Sequence, residues 1–96
     1  MKIEWFIWLD YFVEKLARKH SVSTDEVEEV FNNRPRIQLA ERGEVKGEDL
    51  YRAFGQTDDG HYLAVFFIYK GAGQALVVSA REMSDWERKN HGKRKK

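Results

Sequence analysis

The apolar residues change their spacing at Pro35, and this change limits the folds open to the chain more than any other feature. Before Pro35, apolar residues recur every three or four positions, as on the buried face of a helix. After it, short apolar runs alternate with turn residues, as in β-strands. Helices at one end of a chain and strands at the other favour an α+β domain, in which helices pack on an antiparallel sheet.

The first third of the chain is predicted to form two helices. The first runs from about Trp8 to about His20, and its apolar face comprises Leu9, Phe12, Val13, Leu16 and Ala17. Ser23 and Glu26 match a capping box, in which each side chain accepts a hydrogen bond from the other residue's backbone amide. The second helix therefore begins after Ser23, and it ends before Pro35, because proline has no amide hydrogen and restricts the residue before it.

The rest of the chain is predicted to form four strands and a short helix. The strands cover residues 36–41, 49–56, 62–70 and 75–80. Residues 57–60 (TDDG) are typical of a hairpin turn. Residues 62–70 are apolar on both faces, which indicates a central strand covered on both sides. Ser84 and Glu87 match a second capping box, which begins the last helix.

These elements define the predicted fold. It is α+β, with two N-terminal helices packed on a four-stranded antiparallel sheet and a short C-terminal helix. The last three strands follow one another as an antiparallel meander. One domain spans residues 1–92, because a chain of 96 residues builds one core rather than two. Residues 93–96 form a basic tail.

The composition excludes several kinds of site. The chain has no cysteine, so disulfides and thiolate metal sites are excluded and a reducing cytoplasm suits it. His20, His61 and His91 are too far apart in the sequence for a standard metal site, and no glycine loop precedes a helix to hold a phosphate. No run approaches the roughly 20 apolar residues of a membrane span. We therefore expect a cytoplasmic protein that uses no metal, cofactor or membrane.

Charge is distributed unevenly along the sequence. Residues 1–60 carry 9 basic and 13 acidic groups, whereas residues 81–96 carry 7 basic and 3 acidic groups. The basic end is where an anionic partner is expected to bind. The alternative is that the last four residues form an ordinary solvated tail, and the sequence leaves both interpretations open.

Charged residues gather where the last predicted strand gives way to the last helix. These are Arg81, Glu82, Glu87 and Arg88, with Lys70 at the end of the central strand. RNA is cut without a metal when a base removes the 2′-hydroxyl proton, an acid protonates the leaving oxygen and a cation stabilises the phosphoryl charge. Arginine, lysine and glutamate are residue types suited to these roles in RNA cleavage. The alternative is a set of surface ion pairs worth about 0–1 kcal/mol each.

Three separated blocks of the sequence resemble the BrnT toxin family. Residues 18–31 (RKHSVSTDEVEEVF) are similar to the family segment KHGVS-x-EEA-x-EVF, and residues 47–57 (GEDLYRAFGQT) to its GE…A.G.T strand. Residues 77–83 (VVSAREM), together with Glu87 and Arg88, resemble its closing IISAR…ER signature. The blocks occur in the family's order and cover nearly the whole chain from Arg18 to Arg88.

The resemblance implies a RelE-like fold, ribonuclease toxicity and neutralisation by a cognate antitoxin. The positions that match the family pattern are Lys19, His20, Glu48, Ser79, Arg81, Glu87 and Arg88. Arg81 is then the expected phosphate contact and transition-state stabiliser, and Glu87 is either the base or the residue that orients Arg81. His20 is either a proton donor or a cap on the C-terminus of its helix. The residues expected to bind RNA are Lys19, Lys70, Arg88, His61 and His91.

The chain departs from the family pattern at several positions. Leu50, Leu76 and His61 stand where the family often has arginine, and His91 stands where it commonly has tyrosine. Lys70 replaces the arginine of many members, which keeps the charge but loses the two-pronged hydrogen bonding of a guanidinium. Fewer guanidinium groups are expected to hold phosphate more weakly.

Three functions therefore remain open from the sequence. The leading hypothesis is a metal-independent endoribonuclease toxin of a type II toxin–antitoxin system. The second is a catalytically weak or inactive RNA- or protein-binding module of the same fold. The third is nonspecific RNA binding through residues 93–96. A dimer or hetero-oligomer is also open, because residues 5–8 (WFIW) can either pack in the core or form a dimer or antitoxin interface.

Overall fold

The computed structural model describes residues 1–91, which form five strands and three helices. In chain order the elements are β1 (Trp5–Ile7), α1 (Asp10–Lys15), α2 (Thr24–Asn32), β2 (Arg36–Glu41), β3 (Leu50–Gln56), β4 (Tyr62–Gly71), β5 (Gln74–Glu82) and α3 (Asp85–His91). A π-helical turn, Leu16–His20, continues α1 directly. The end of the predicted domain at residue 92 and the predicted basic tail, residues 93–96, lie outside the described residues. No helix in residues 1–91 is long and apolar enough to cross a membrane.

The five strands form one sheet in the order β1-β5-β4-β3-β2. Strands β2 to β5 pair antiparallel with their neighbours in the sequence, as predicted, and β4 is the middle strand. Strand β1 pairs parallel with β5, so that Phe6 lies opposite Ala75. The sheet is therefore mixed and five-stranded, and the prediction of a four-stranded antiparallel sheet was wrong.

Strand β1 escaped prediction because its sequence does not alternate. Trp5, Phe6 and Ile7 are all apolar, and pairing with a parallel strand far along the chain does not affect the local sequence pattern. Phe6 packs against the core and meets the ring of Phe31 edge-on at 5.2 Å, whereas Trp5 is 63% exposed. The apolar start of the chain thus joins the core through only some of its side chains.

The helices begin where their caps allow. At α2 the predicted capping box is confirmed, because the Glu26 amide donates to Ser23 Oγ at 3.1 Å and the Ser23 amide donates to Glu26 Oε1 at 3.0 Å. Helix α1 begins at Asp10 rather than at Trp8, because Leu9 before it has an extended backbone. The predicted start of the first helix was therefore two residues too early.

The core lies between the sheet and the two N-terminal helices. At its centre Phe67 of β4 is fully buried, with its ring 5.4 Å from that of Phe31. The other large side chains that are fully buried are Leu16, Leu63, Val27, Val30, Val65 and Val77. Burying a side chain of this size stabilises the fold by about 1.5–3 kcal/mol. Among residues 1–91, α3 covers one end of the opposite face of the sheet, and the described residues leave the rest of that face open.

Candidate active site

The open face is the face of the sheet opposite the two N-terminal helices. Because side chains alternate between the two faces of a strand, the register fixes which residues share it. One row across it contains Arg81, Ala64, Phe54 and Arg36, and the next row contains Ser79, Phe66, Arg52 and Gln38. Three arginines from three strands thus share one face, and this concentration of positive charge suits an anionic ligand.

Aromatic rings hold these arginines against the sheet. The Cζ atoms of Arg36 and Arg52 both lie 5.8 Å from the centre of the Phe54 ring, and Cζ of Arg81 lies 5.4 Å from that of Phe66. Such contacts contribute about 0.5–1 kcal/mol at exposed sites. Within residues 1–91 no carboxylate pairs with Arg36 or Arg52, so their charge stays available to a ligand.

Arg81 differs from the other two arginines because it has a carboxylate partner. Its Nη1 donates to Glu87 Oε1 at 2.7 Å, and its Nη2 donates to Glu87 Oε2 at 2.9 Å. Glu87 lies in α3, and the same Oε1 accepts from the Ser84 amide at 2.8 Å while Ser84 Oγ accepts from the Glu87 amide at 3.2 Å. Both hydrogen bonds of the second predicted capping box are therefore present, and its glutamate also orients Arg81.

The ion pair shifts the pKa of both partners. The hydrogen bonds from Arg81 lower the pKa of Glu87 to about 2, even though partial burial acts in the opposite direction. The hydrogen bond to Glu87 in turn raises the pKa of Arg81. Glu87 is therefore ionised at neutral pH and accepts a proton only weakly, which suits orientation of Arg81 better than general base catalysis.

One edge of the Arg81 guanidinium remains for a ligand. Nη1 uses its two hydrogens on Glu87 and on the backbone oxygen of Glu82, at 2.7 and 3.1 Å, and Nη2 uses one hydrogen on Glu87. The Nε hydrogen and the second Nη2 hydrogen lie side by side, and no hydrogen-bond partner meets them within residues 1–91. Two parallel N–H groups of this kind bind two oxygens of one phosphate.

Two predicted RNA-binding residues lie where α3 covers the open face. Cζ of Arg88 lies 4.4 Å above the centre of the Tyr62 ring, and the ring of His91 meets that of Tyr62 edge-on at 6.2 Å. Nearby, Arg36 Nη1 donates to the backbone oxygens of Asn90 and His91, at 3.4 and 3.5 Å. A cation is favourable at a helix C-terminus, so Arg36 ties the last turn of α3 to the sheet.

Lys19 and His20 lie on the other side of the sheet from Arg81. Both belong to the π-helical turn, whose Leu16 is buried in the core beneath the helices. Arg81 points from the opposite face of β5, because its neighbour Ala80 points into that core. The roles of Lys19 in RNA binding and of His20 in proton donation stay predictions.

Lys70 and His61 also have contacts away from Arg81. Lys70 lies at the far end of β4, where its Nζ donates to Glu48. His61 follows the hairpin turn, and its Nδ1 lies 3.4 Å from a carboxylate oxygen of Glu26 in α2. His61 also borders a cleft beside Tyr62. Their contribution to RNA binding likewise stays a prediction.

Sequence analysis did not single out Arg36 and Arg52, which complete the open face. A signal existed in β2, where Arg36 and Gln38 alternate with the apolar Ile37 and Leu39. Alternation shows that two residues share a face of their own strand. Only the register between strands shows that Arg36, Arg52 and Arg81 share one face of the sheet.

The described residues offer cations and hydrogen-bond donors rather than clustered metal ligands. No group of three or more histidine, aspartate or glutamate side chains that could hold a metal ion occurs in residues 1–91. The open face instead combines three arginines with the aromatic rings that support them. Fold and site together define the class of protein, a small α+β domain whose open sheet face carries arginines of the kind that suit an anionic ligand.

Comparisons with known proteins identify the family. The family described as "Ribonuclease toxin, BrnT, of type II toxin-antitoxin system" matches residues 13–87. The chain therefore belongs to the BrnT family of ribonuclease toxins, and the predicted family and activity are confirmed. A crystal structure of the BrnT ribonuclease toxin of Brucella abortus has a similar fold, with a TM-score of 0.60, 22% identity and coverage of 88% of this chain and 99% of that one. Among proteins with curated descriptions, none matches the chain.

Proposed function

We propose that this toxin cuts RNA on its open face without a metal ion, and that Arg81 holds the phosphate that is cleaved. The observation that carries the proposal is the Arg81 guanidinium, which Glu87 orients while one two-pronged edge stays available. In such a cut the ribose 2′-hydroxyl gives up its proton as its oxygen bonds to phosphorus, and the bond from phosphorus to the 5′-oxygen of the next nucleotide breaks. That oxygen leaves as a hydroxyl after taking up a proton, and a 2′,3′-cyclic phosphate remains. Arg81 stabilises the negative charge that develops on the phosphoryl oxygens.

Arg36 and Arg52, which both lie on the same side of Arg81 in the sheet, hold phosphates further along the RNA from the cut. Arg52 belongs to the row next to that of Arg81, and Arg36 stands at the other end of the same row as Arg81. Neither guanidinium has a carboxylate partner within the described residues, so each can neutralise one phosphate. These two arginines therefore contribute to RNA affinity more than to the rate of the chemical step.

The family also implies a cognate antitoxin as partner. We infer that the antitoxin neutralises the toxin by covering the open face, because a protein seated over Arg81 excludes RNA from it. Beyond the end where α3 packs, no other part of residues 1–91 covers the side chains of this face. Acidic groups on the antitoxin would pair with the three arginines there.

A direct test replaces Arg81 and measures both toxicity and cleavage. Expression of the unaltered chain is expected to arrest bacterial growth, and the purified protein is expected to cut total RNA in the presence of a chelator. Arg81→Ala should relieve the arrest and lower the cleavage rate about 100- to 1,000-fold, as for the loss of one transition-state donor. Arg18→Ala, which removes an exposed arginine of the π-helical turn, is the matched control and should change neither.

Two outcomes would contradict the proposal. An Arg81→Ala variant that folds and remains fully toxic would remove Arg81 from the mechanism. Cleavage that stops when the chelator is added would remove the metal-independent route.

The second candidate function is binding without efficient cleavage. It is favoured by a third row of the open face, where Leu50, Ile68 and Leu76 form an apolar surface in place of arginines. RNA that stays intact at high protein concentration, while still binding the protein, would support this function over the nuclease.

A further inference from the structure

A cleft of about 240 Å³ opens at the end of the sheet, where β4 and β5 meet the start of α3. Tyr62, Glu82, Asp85 and Arg88 contribute to its walls. Pockets for drug-sized ligands measure roughly 300–1,000 Å³, so this cleft suits a smaller group such as one nucleobase. A second opening shares Tyr62, Asp85 and Arg88 with it, which makes the Arg88 side chain accessible from two directions.

The cleft lies one step along the sheet from Arg81. Arg81 pairs with Ala64, and Tyr62 lies two residues before Ala64 on the same face of β4. Two residues of a strand span roughly 6.5 Å. A nucleotide whose phosphate contacts Arg81 can therefore place an adjoining base beside Tyr62.

Tyr62 and Arg88 already form a stack that a base can extend. The guanidinium of Arg88 lies 4.4 Å above the Tyr62 ring, the shortest contact of this kind in residues 1–91. Proteins that bind single-stranded RNA stack unpaired bases on aromatic rings and on guanidinium planes. The outer face of the Arg88 guanidinium, supported from below by Tyr62, offers such a plane.

Two carboxylic residues line the same cleft as this stack. Asp85 begins α3 beside Arg88, whereas Glu82 leaves β5 on the face opposite Arg81 and borders the cleft at the end of the strand. Glu82 and Asp85 are exposed, and neither carboxylate has a hydrogen-bond or ion-pair partner among residues 1–91. A carboxylate accepts two hydrogen bonds side by side. Guanine is the one RNA base whose Watson–Crick edge offers two adjacent donors, the N1 hydrogen and the 2-amino group. The other three bases turn at least one acceptor towards the carboxylate and are disfavoured.

We propose that the cleft binds a guanine base next to the phosphate that is cut, stacked on Arg88 and read by Glu82 and Asp85. The position of the base relative to the cut rests on the proposed function, whereas base binding itself does not require cleavage. The toxin then cuts single-stranded RNA preferentially beside guanosine.

Binding is tested with short RNAs that cannot be cut, because every ribose carries a 2′-O-methyl group. Three oligouridines carry guanosine, inosine or adenosine at the central position, and fluorescence anisotropy gives their affinities. Inosine differs from guanosine only by the missing 2-amino group, so we expect about tenfold weaker binding, as for one hydrogen bond to a charged acceptor. Adenosine should bind at least as weakly as inosine.

Variants show whether the two carboxylates read the base. A double variant combines Glu82→Gln with Asp85→Asn. Its preference for guanosine over inosine should fall below about twofold, because an amide presents only one acceptor atom. The matched control is Asp25→Asn, which makes the same change at an exposed position in the first turn of α2. Asp25→Asn should keep the full preference.

The outcomes separate this proposal from the nuclease proposal. Preference for guanosine in uncleavable RNA, with no cut in unmodified RNA, would support the base site and contradict the nuclease. Equal affinity for all three oligonucleotides, or a preference that survives in the double variant, would overturn the base site. Loss of antitoxin binding in the double variant, with the base preference unchanged, would also overturn it and assign the cleft to that partner.

Discussion

The carboxylate of Glu87 accepts hydrogen bonds from both Nη atoms of Arg81 and from the amide of Ser84. Its side chain is 16% exposed, so solvent screens the pair less than it screens an ordinary surface ion pair. The position of one glutamate thus decides which edge of the guanidinium stays open. The sequence singled out both residues because they lie close together along the chain, where the strand ends and the capping box begins.

Replacing Glu87 tests this role at the level of stability. Glu87→Gln should lower the free energy of unfolding at neutral pH by about 1 kcal/mol, the upper end for a partly exposed pair. The cleavage rate should also fall, but less than in Arg81→Ala, because the guanidinium remains and loses only its orientation. Urea denaturation and RNA cleavage on the same preparations measure the two effects.

The stability difference should also depend on pH in a defined direction. The pKa of Glu87 is about 2 in the folded chain, below the value of roughly 4.3 expected in the unfolded chain. The unfolded state therefore binds the proton first, and the stabilisation is complete above about pH 5 and lost as the pH falls towards about 2. The unfolding free energies of the unaltered chain and of Glu87→Gln should converge on acidification. The exposed Glu44, changed to glutamine, is the control, and a constant gap for Glu87→Gln would contradict the assignment.

Among the elements, helix α3 contributes most to the candidate site, because its side chains contact the open face of the sheet. Its seven residues are too few to form a stable helix alone, so contacts with the sheet must hold it in place. Glu87 pairs with Arg81 near its start, Arg88 stacks on Tyr62, and Arg36 donates to the carbonyl oxygens of its last turn. The capping-box sequence predicts where this helix begins. The contacts of the helix with Arg36 and Tyr62, however, depend on strands that are distant in the sequence.

Two serines provide a matched test of this element. Ser84→Ala and Ser23→Ala each remove the hydroxyl of a capping box and should each cost about 1 kcal/mol of stability. Ser84→Ala should in addition slow RNA cleavage, because the turn that carries Glu87 loosens. Ser23→Ala changes a helix on the other side of the sheet and should leave cleavage unchanged. Equal cleavage rates in the two variants would show that the start of α3 does not position Arg81.

The remaining elements differ in how well local sequence predicts them. Strands β2 to β5 have hairpin turns, alternation or a continuous apolar run, which are local signals, and they form where predicted within one or two residues. Strand β1 has three apolar residues and a parallel partner near residue 75, so its pairing is a long-range event. Local patterns therefore predict the antiparallel strands β2 to β5 and miss the parallel edge strand β1.

At the scale of the whole molecule, the two faces of the sheet have different tasks. One face carries the two N-terminal helices and the core, and the other carries the arginines and α3. Arg36 and Arg52 come from residues 1–60, which hold more acidic than basic groups. Charge counted along the chain therefore placed the basic surface at the C-terminal end alone. The sheet register adds two arginines from the acidic part of the sequence, which no linear count reveals.

Salt dependence distinguishes the two faces. Each phosphate contact to single-stranded RNA contributes about −0.7 to the slope of log affinity against log salt concentration. Arg52→Ala on the open face should weaken binding to uncleavable RNA and make the slope less steep by about 0.7. Arg18→Ala on the helical side should leave the slope unchanged. A slope that responds to Arg18→Ala and not to Arg52→Ala would place the RNA on the helical side.

The sharing of Glu87 between Ser84 and Arg81 has a thermodynamic consequence. An anion that binds the free edge of Arg81 is held best while Glu87 orients the guanidinium, so it must stabilise the first turn of α3 by the same free energy with which that turn favours the anion. Occupancy of the arginine and local melting of the terminal helix are thus reciprocal quantities. Hydrogen exchange at the amides of that turn will report on anion binding, even for ligands that never contact the helix.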